Sequence, residues 1–263
     1  FKECSAMEKS FCFTVDDNIR FLKEITENTY ISIFEHPYLS LYRRLHEKYG
    51  LKVQLNLFYR ADGFNLFQMS DAYCSEWENN ADWLKLSFHS DVENIKPYEF
   101  SGYDEVYRDC KAVNDRIIHF ASLKNLAKTT TVHYCLATAE GLKAIADNKV
   151  IGLLGLFGDE THPRTSYGIE EMDAARIRNG AIVTKGTIAF AAIDIVMNSF
   201  SRDEILAKLK ALSDRDAIRV MIHEQYFYPD YPAYQPDFEE KLNAAFSYLK
   251  SLGYKSRFFE EQI

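Results

Sequence analysis

Phe11-Cys12-Phe13-Thr14-Val15-Asp16-Asp17 is a short run of strand-forming residues that ends in two adjacent carboxylates. Two ionised carboxylates side by side repel, so a buried strand end that carries them calls for a cation or a proton to hold there. A second reading of the pair is local: an N-cap and first-turn acid for the helix that follows. Moving outward, three further strand-like runs each deliver a histidine. These are Leu84-Lys85-Leu86-Ser87-Phe88-His89, Thr130-Thr131-Val132-His133 and Val220-Met221-Ile222-His223. Acids and imidazoles at the ends of separate strands are what a metal-assisted hydrolase built on a barrel would need.

The rest of the chain alternates in the same way. Strands are expected at Phe11–Asp16, Lys52–Tyr59, Leu84–His89, Thr130–Cys135, Val150–Leu156, Thr187–Val196, Ile218–His223 and Lys255–Phe259. Several are near-continuous apolar runs, as parallel strands buried on both faces must be. Helical periodicity is clearest over Gly102–Ala121, where Tyr103, Val106, Tyr107, Cys110, Val113, Ile117 and Phe120 share a stripe. Tyr38–Tyr49 stops at Gly50, Thr138–Asn148 and Ser201–Leu212 start on good caps, and Asp237–Leu252 closes the series. This pattern predicts an α/β fold: one distorted (β/α) barrel of seven or eight strands over residues 1–263, with an insertion at 157–186 that contains Pro163 and a helix near Ile169–Arg178. A doubly wound open sheet is the alternative, but no glycine-rich turn follows the first strand.

At 263 residues the chain is long enough for one large core, and 47% hydrophobic with 27% charged residues is an ordinary globular balance. A net charge of −8 without a Lys/Arg cluster argues against a nucleic-acid surface. No run is long and apolar enough to span a bilayer. The five cysteines, Cys4, Cys12, Cys74, Cys110 and Cys135, are odd in number and unpaired in spacing. With no visible signal peptide, they favour a reducing, cytoplasmic setting, while the Phe1 start leaves a removed leader open. His36, His46, His119 and His162 have no matching acids and read as surface or packing groups. Trp77 and Trp83 border the third strand and read as packing.

Residues at the C-terminal ends of parallel barrel strands converge on one face. Asp16, Asp17, His89, His133, Asp194 and His223 all fall at or near such ends. Glu224 and Gln225 make a polar terminus after His223. The aromatic stretch Tyr226-Phe227-Tyr228-Pro229-Asp230-Tyr231-Pro232-Ala233-Tyr234 follows. Glu224, Tyr226 and Tyr228 are therefore candidates for holding a substrate ring, with core-like packing of the loop as the alternative.

Phe-Thr-Val-Asp-Asp, His89-Ser90 and Met221-Ile222-His223 resemble, in order and separation, motifs of the polysaccharide (carbohydrate) deacetylases of the NodB-homology type. The likeness is remote and divergent and spans Phe11 to about Phe259. It implies a distorted (β/α) barrel holding Zn²⁺ or another divalent metal that removes an acetyl group from an N-acetylated sugar or a small amide. It implies Asp16 as general base, Asp17 and His89 as metal ligands and His223 as general acid. The family's second motif ends in histidine, where this chain has Glu93; the third ligand is then His133 from the next strand or Glu93 itself. The acidic residue of the fourth motif is represented by Asp194, with no Trp beside it, as a group that contacts substrate or fixes the His223 tautomer. Two other functions compete: a metal-independent glycoside hydrolase-like barrel using two of Asp16, Asp17, Asp194 and Glu224, and a non-catalytic carbohydrate-binding barrel.

Overall fold

The computed structural model describes residues 8–93, 98–158 and 164–263. Cys4, His162 and Pro163 lie outside them. The strands are β1 (Ser10–Asn18), β2 (Val53–Phe58), β3 (Arg60–Ala61), β4 (Phe64–Asn65), β5 (Leu84–Ser90), β6 (Thr129–Thr130), β7 (Gly152–Gly155), β8 (Val183–Lys185), β9 (Ile188–Ala192), β10 (Ile195–Val196), β11 (Ala217–His223) and β12 (Lys255–Ser256). The helices are α1 (Arg20–Glu27), α2 (Pro37–Tyr49), α3 (Cys74–Asn79), α4 (Tyr103–Phe120), α5 (Ala139–Asp147), α6 (Glu171–Arg178), α7 (Arg202–Ala211) and α8 (Phe238–Ser251).

The fold is mixed α/β around parallel strands. One sheet runs β10-β11-β1-β2-β5, all parallel, with β12 pairing the start of β1 where β2 has not yet begun. A second runs β6-β7-β9-β8, parallel except for β8. Two sets of backbone contacts link them. Leu86 of β5 forms a parallel bridge with Leu126, three residues before β6. Between β9 and β10 the chain changes partner: Ile193 N–H donates to Gly155 O of β7 and Asp194 N–H to Arg219 O of β11, each at 2.8 Å.

Alternation along β1 shows why the sequence folds this way. Phe11 and Phe13 pack outward against Phe246 of α8, with ring centroids at 5.5 and 5.0 Å, and Phe13 also meets Tyr42 of α2. Fully burying each such ring contributes about 1.5–3 kcal/mol. Residues two apart share a face, and the other face is polar. Gln54 Nε2 donates to Asn56 Oδ1, Ser87 Oγ and the Thr129 carbonyl, while Asn56 Nδ2 donates to Asp16 Oδ1. These buried amides and hydroxyls satisfy one another, as an interior without water requires.

Several of the expected strands are shorter in the structure. Of Thr130–Cys135 only Thr130 is strand, at the end of β6, because Tyr134 and Cys135 adopt left-handed φ values of 58° and 56° and turn the chain. Thr187–Val196 is broken at Ile193–Asp194. Residues 157–186 include α6 and β8, the latter pairing antiparallel with β9. Cys12, Cys74, Cys110 and Cys135 are free thiols. Among the described residues no helix is long and apolar enough to cross a membrane.

Candidate metal centre

The adjacent carboxylates of β1 would point to opposite faces of a regular strand. They do not, because the register of β1 against β2 shifts between Val15 and Asn18, and Asp17 sits at φ 62°. This left-handed residue brings Asp17 into the same cavity as Asp16. The cavity holds about 310 Å³ and is also lined by His89, Glu93, Thr131, His133, Tyr134, His223 and Gln225. The pair does not cap α1. That helix begins after Ile19, and the carboxylate accepting its first N–H groups is Glu224, with Ile19 N at 2.7, Arg20 N at 3.0 and Phe21 N at 2.8 Å.

Three donor atoms converge. His89 Nε2 lies 3.1 Å from Asp17 Oδ1 and 3.1 Å from His133 Nδ1, and His133 Nδ1 lies 3.4 Å from Asp17 Oδ1. The far side of each imidazole is fixed by a carbonyl: His89 Nδ1 by Thr131 O at 2.5 Å, and His133 Nε2 by Glu93 O at 2.9 Å. A carbonyl only accepts, so those nitrogens carry the protons and a neutral ring turns its lone pair inward. Two lone pairs and a carboxylate oxygen facing one another at these distances need a positive centre between them.

The electrostatics of the residues agree with such a centre. Burial would lower His89, but the Asp16 and Asp17 carboxylates outweigh it and raise it. Burial would raise Asp17, but hydrogen bonds from His133 and His89 hold it well below the usual carboxylate range. A divalent cation fits the same triangle, because a tetrahedral centre with ligands at 2.0–2.1 Å sets them about 3.3 Å apart. Asp17, His89 and His133 are the group of metal-binding geometry among the described residues.

The remaining candidates divide. Asp16 is 2% exposed, and burial raises its carboxyl against the pull of His89, His223 and Asn56. His223 turns Nε2 toward Asp17 Oδ2 at 4.0 Å and binds Asn198 Oδ1 through Nδ1 at 2.9 Å. Asp194, expected against His223 or substrate, is instead paired with Arg215 Nη1 at 2.6 Å and accepts the Arg219 N–H at 2.8 Å. It secures the junction of the two sheets, and Asn198 takes the place beside His223. Glu224, expected to hold substrate, is saturated by α1. Tyr228 donates its hydroxyl to Glu224 at 2.8 Å, lies under the Arg20 guanidinium, is 4% exposed and does not line the cavity. Tyr226 stays beside His223, ring centroids 6.2 Å apart. Glu93 lines the cavity and fixes His133 through its backbone. Asn56, Thr131 and Asn198 were missed in the sequence, because a lone polar residue inside a strand, just past one or in a single helical turn carries no pattern.

No family model matches the chain, and no curated protein matches it in sequence. Solved structures match it in shape. A family 4 acetyl xylan esterase from Clostridium thermocellum, in complex with a cobalt ion, has a TM-score of 0.53 at 12% identity, over 96% of this chain and 89% of that one. A peptidoglycan N-acetylglucosamine deacetylase matches at 0.56 and 11% identity, over 97% and 89%. A CE4 family pseudoenzyme from Bacillus anthracis matches at 0.52 and 13%, over 97% and 65%. The chain has the fold of the CE4 polysaccharide deacetylases. At these identities the likeness is one of fold, and it extends to a 4-alpha-glucanotransferase from Thermococcus litoralis, at 0.61 and 12% over 97% and 40%. The resemblance to the carbohydrate deacetylases is therefore borne out at the level of architecture.

Proposed function

We propose that this chain is a divalent-metal-dependent hydrolase that removes an acetyl group from an N-acetylated sugar. The observation that carries the reading is the triangle of Asp17 Oδ1, His89 Nε2 and His133 Nδ1 at 3.1–3.4 Å. It favours His133 over Glu93 as third ligand, and Zn²⁺ suits two imidazoles and a carboxylate. The Leu86–Leu126 bridge and the partner change at Ile193–Asp194 support one closed, distorted barrel spanning the chain, with 157–186 inserted in it.

A divalent cation bound there supplies Lewis acidity to an acyl carbonyl and to water. The protein groups do the rest. Asn56 ties up Asp16 Oδ1, so Asp16 Oδ2 takes the proton of the water that adds to the acyl carbon. The raised carboxyl is in the direction a general base needs to act near neutrality. His223 Nε2 delivers a proton to the nitrogen as the acyl C–N bond breaks, leaving acetate and a free amine. Asn198 holds His223 Nδ1 in the donor role meanwhile. Tyr226 and the exposed Tyr134 offer ring faces for a sugar. A glycosidase reading loses support because Asp194 and Glu224 are both engaged elsewhere.

The test is acetate release from N-acetyl chitooligosaccharides by protein loaded with Zn²⁺ or Co²⁺, with metal content measured alongside. Turnover that EDTA abolishes, and loss of bound metal in Asp17→Ala and His89→Ala, are expected. Protein that takes up neither ion overturns the reading.

A further inference from the structure

Beyond the three ligand atoms, one side chain grips the centre directly. Gln225 lies in the helical turn Glu224–Phe227, two residues past His223, and its Nε2 donates to Asp17 Oδ2 at 2.9 Å. Its Oε1 is buried without a partner. A buried orphan acceptor costs about 1–3 kcal/mol, so the amide is held donor-first against Asp17 at the expense of its other end. The two oxygens of Asp17 are thereby made unequal. Oδ1 faces both imidazoles, and Oδ2 faces Gln225, with His223 Nε2 4.0 Å away. A free carboxylate can give a divalent ion one oxygen or both.

We infer that Gln225 is a positioning residue that makes Asp17 a one-oxygen ligand, leaving the remaining coordination positions to water and substrate. The inference rests on the metal reading above. It follows from geometry: Asp17 cannot swing Oδ2 toward the imidazoles without breaking the Gln225 bond. The left-handed backbone at Asp17 already fixes where the side chain starts. Partners that orient a ligand in this way are worth about 10–100-fold in metal affinity.

Wild type, Gln225→Leu and Gln225→Met are titrated calorimetrically with Co²⁺ and Zn²⁺, and the visible spectrum of each Co²⁺ form is recorded. Thermal unfolding verifies that the variants fold, and Asp17→Asn is the control for lost ligation. Both Gln225 variants are expected to bind about 10–100-fold more weakly. Their Co²⁺ bands should also weaken, because intensity falls as coordination number rises when Asp17 gives both oxygens. Leu and Met variants with wild-type affinity and spectrum overturn the inference while leaving the centre standing. A wild type that binds neither ion removes the metal reading itself and this inference with it.

Discussion

The two sheets contribute unequally to the centre. The six-stranded sheet has strands of nine residues in β1 and seven in each of β5 and β11, and their ends carry Asp16, Asp17, His89 and His223. The four-stranded sheet has two residues in β6 and four in β7, and its share is His133, presented from a left-handed turn past the end of β6. Long parallel ladders fix most of each strand by backbone pairing and leave only the last residues to side-chain ties. Short ones need other devices, and here these are close backbone approach and side chains tied to carbonyls: Tyr167 Oη donates to Leu154 O at 2.7 Å and accepts from Val132 N at 3.1 Å.

The largest effect should come from undoing the tie that holds the ends of β1 and β11 together. Glu224→Ala orphans the N–H groups of Ile19, Arg20 and Phe21 along with the Tyr228 hydroxyl. At about 1–3 kcal/mol for each unsatisfied buried donor, a loss of several kcal/mol is expected in denaturant unfolding. Glu224→Gln, which keeps an acceptor, should lose less. A Glu224→Ala protein as stable as wild type would mean that the ladder fixes these ends unaided and that the asymmetry between the sheets is sharper still.

The same asymmetry governs what the sequence could disclose. Tyr38–Tyr49 was legible as a helix because its stop is local: Gly50 takes φ 68°, and Pro37 fits the first turn. Asp16, Asp17, His89 and His223 were legible because apolar runs announce strands, and polar residues at their ends stand out. The turn at Tyr134–Cys135 was not, since two non-glycine residues in the left-handed region follow from tertiary packing rather than from propensity. Nor could the sequence separate the uses of Glu224 and Asp194. Both look like strand-end acids, and only contacts about 200 residues away for Glu224, or across the sheet junction for Asp194, reveal a structural employment.

On the short-strand side, close approach is the device to test. A Cβ built on Gly155 would lie 2.7 Å from Ser166 Cβ and 2.9 Å from its Oγ. Ser166 Oγ donates to Leu156 O at 2.7 Å and accepts from Leu156 N at 2.8 Å, pinning the loop to the end of β7. Gly155→Ala must displace that loop or the strand, and overpacking of this kind costs about 1–3 kcal/mol. The variant should unfold at lower denaturant while its Co²⁺ affinity, set mostly by the other sheet, changes little. A large loss of affinity would show that the four-stranded half positions His133 more tightly than its ladder suggests.

The smallest expected effect runs in the opposite direction, toward greater stability. Burial raises the Asp16 carboxyl, and neither the imidazoles nor Asn56 offset it. A carboxyl raised in the folded chain binds its proton more tightly there than in the unfolded chain. Its stabilising contribution is therefore complete below the unfolded value of about 3.9 and is lost as pH climbs through the folded value. At neutral pH the folded chain thus carries a buried charge that the unfolded chain holds at no such cost. Asp16→Asn cannot titrate and still offers an oxygen to Asn56 Nδ2. In chelated, metal-free protein it should melt higher than wild type at pH 7, by about 2–4 °C per kcal/mol recovered in a chain of this size. The advantage should vanish near pH 4, and the metal-loaded variant should release no acetate. A variant less stable than wild type at pH 7 would place Asp16 among the groups that hold the strand ends together, and the six-stranded half would then owe its rigidity to the carboxylate as well as to the ladder.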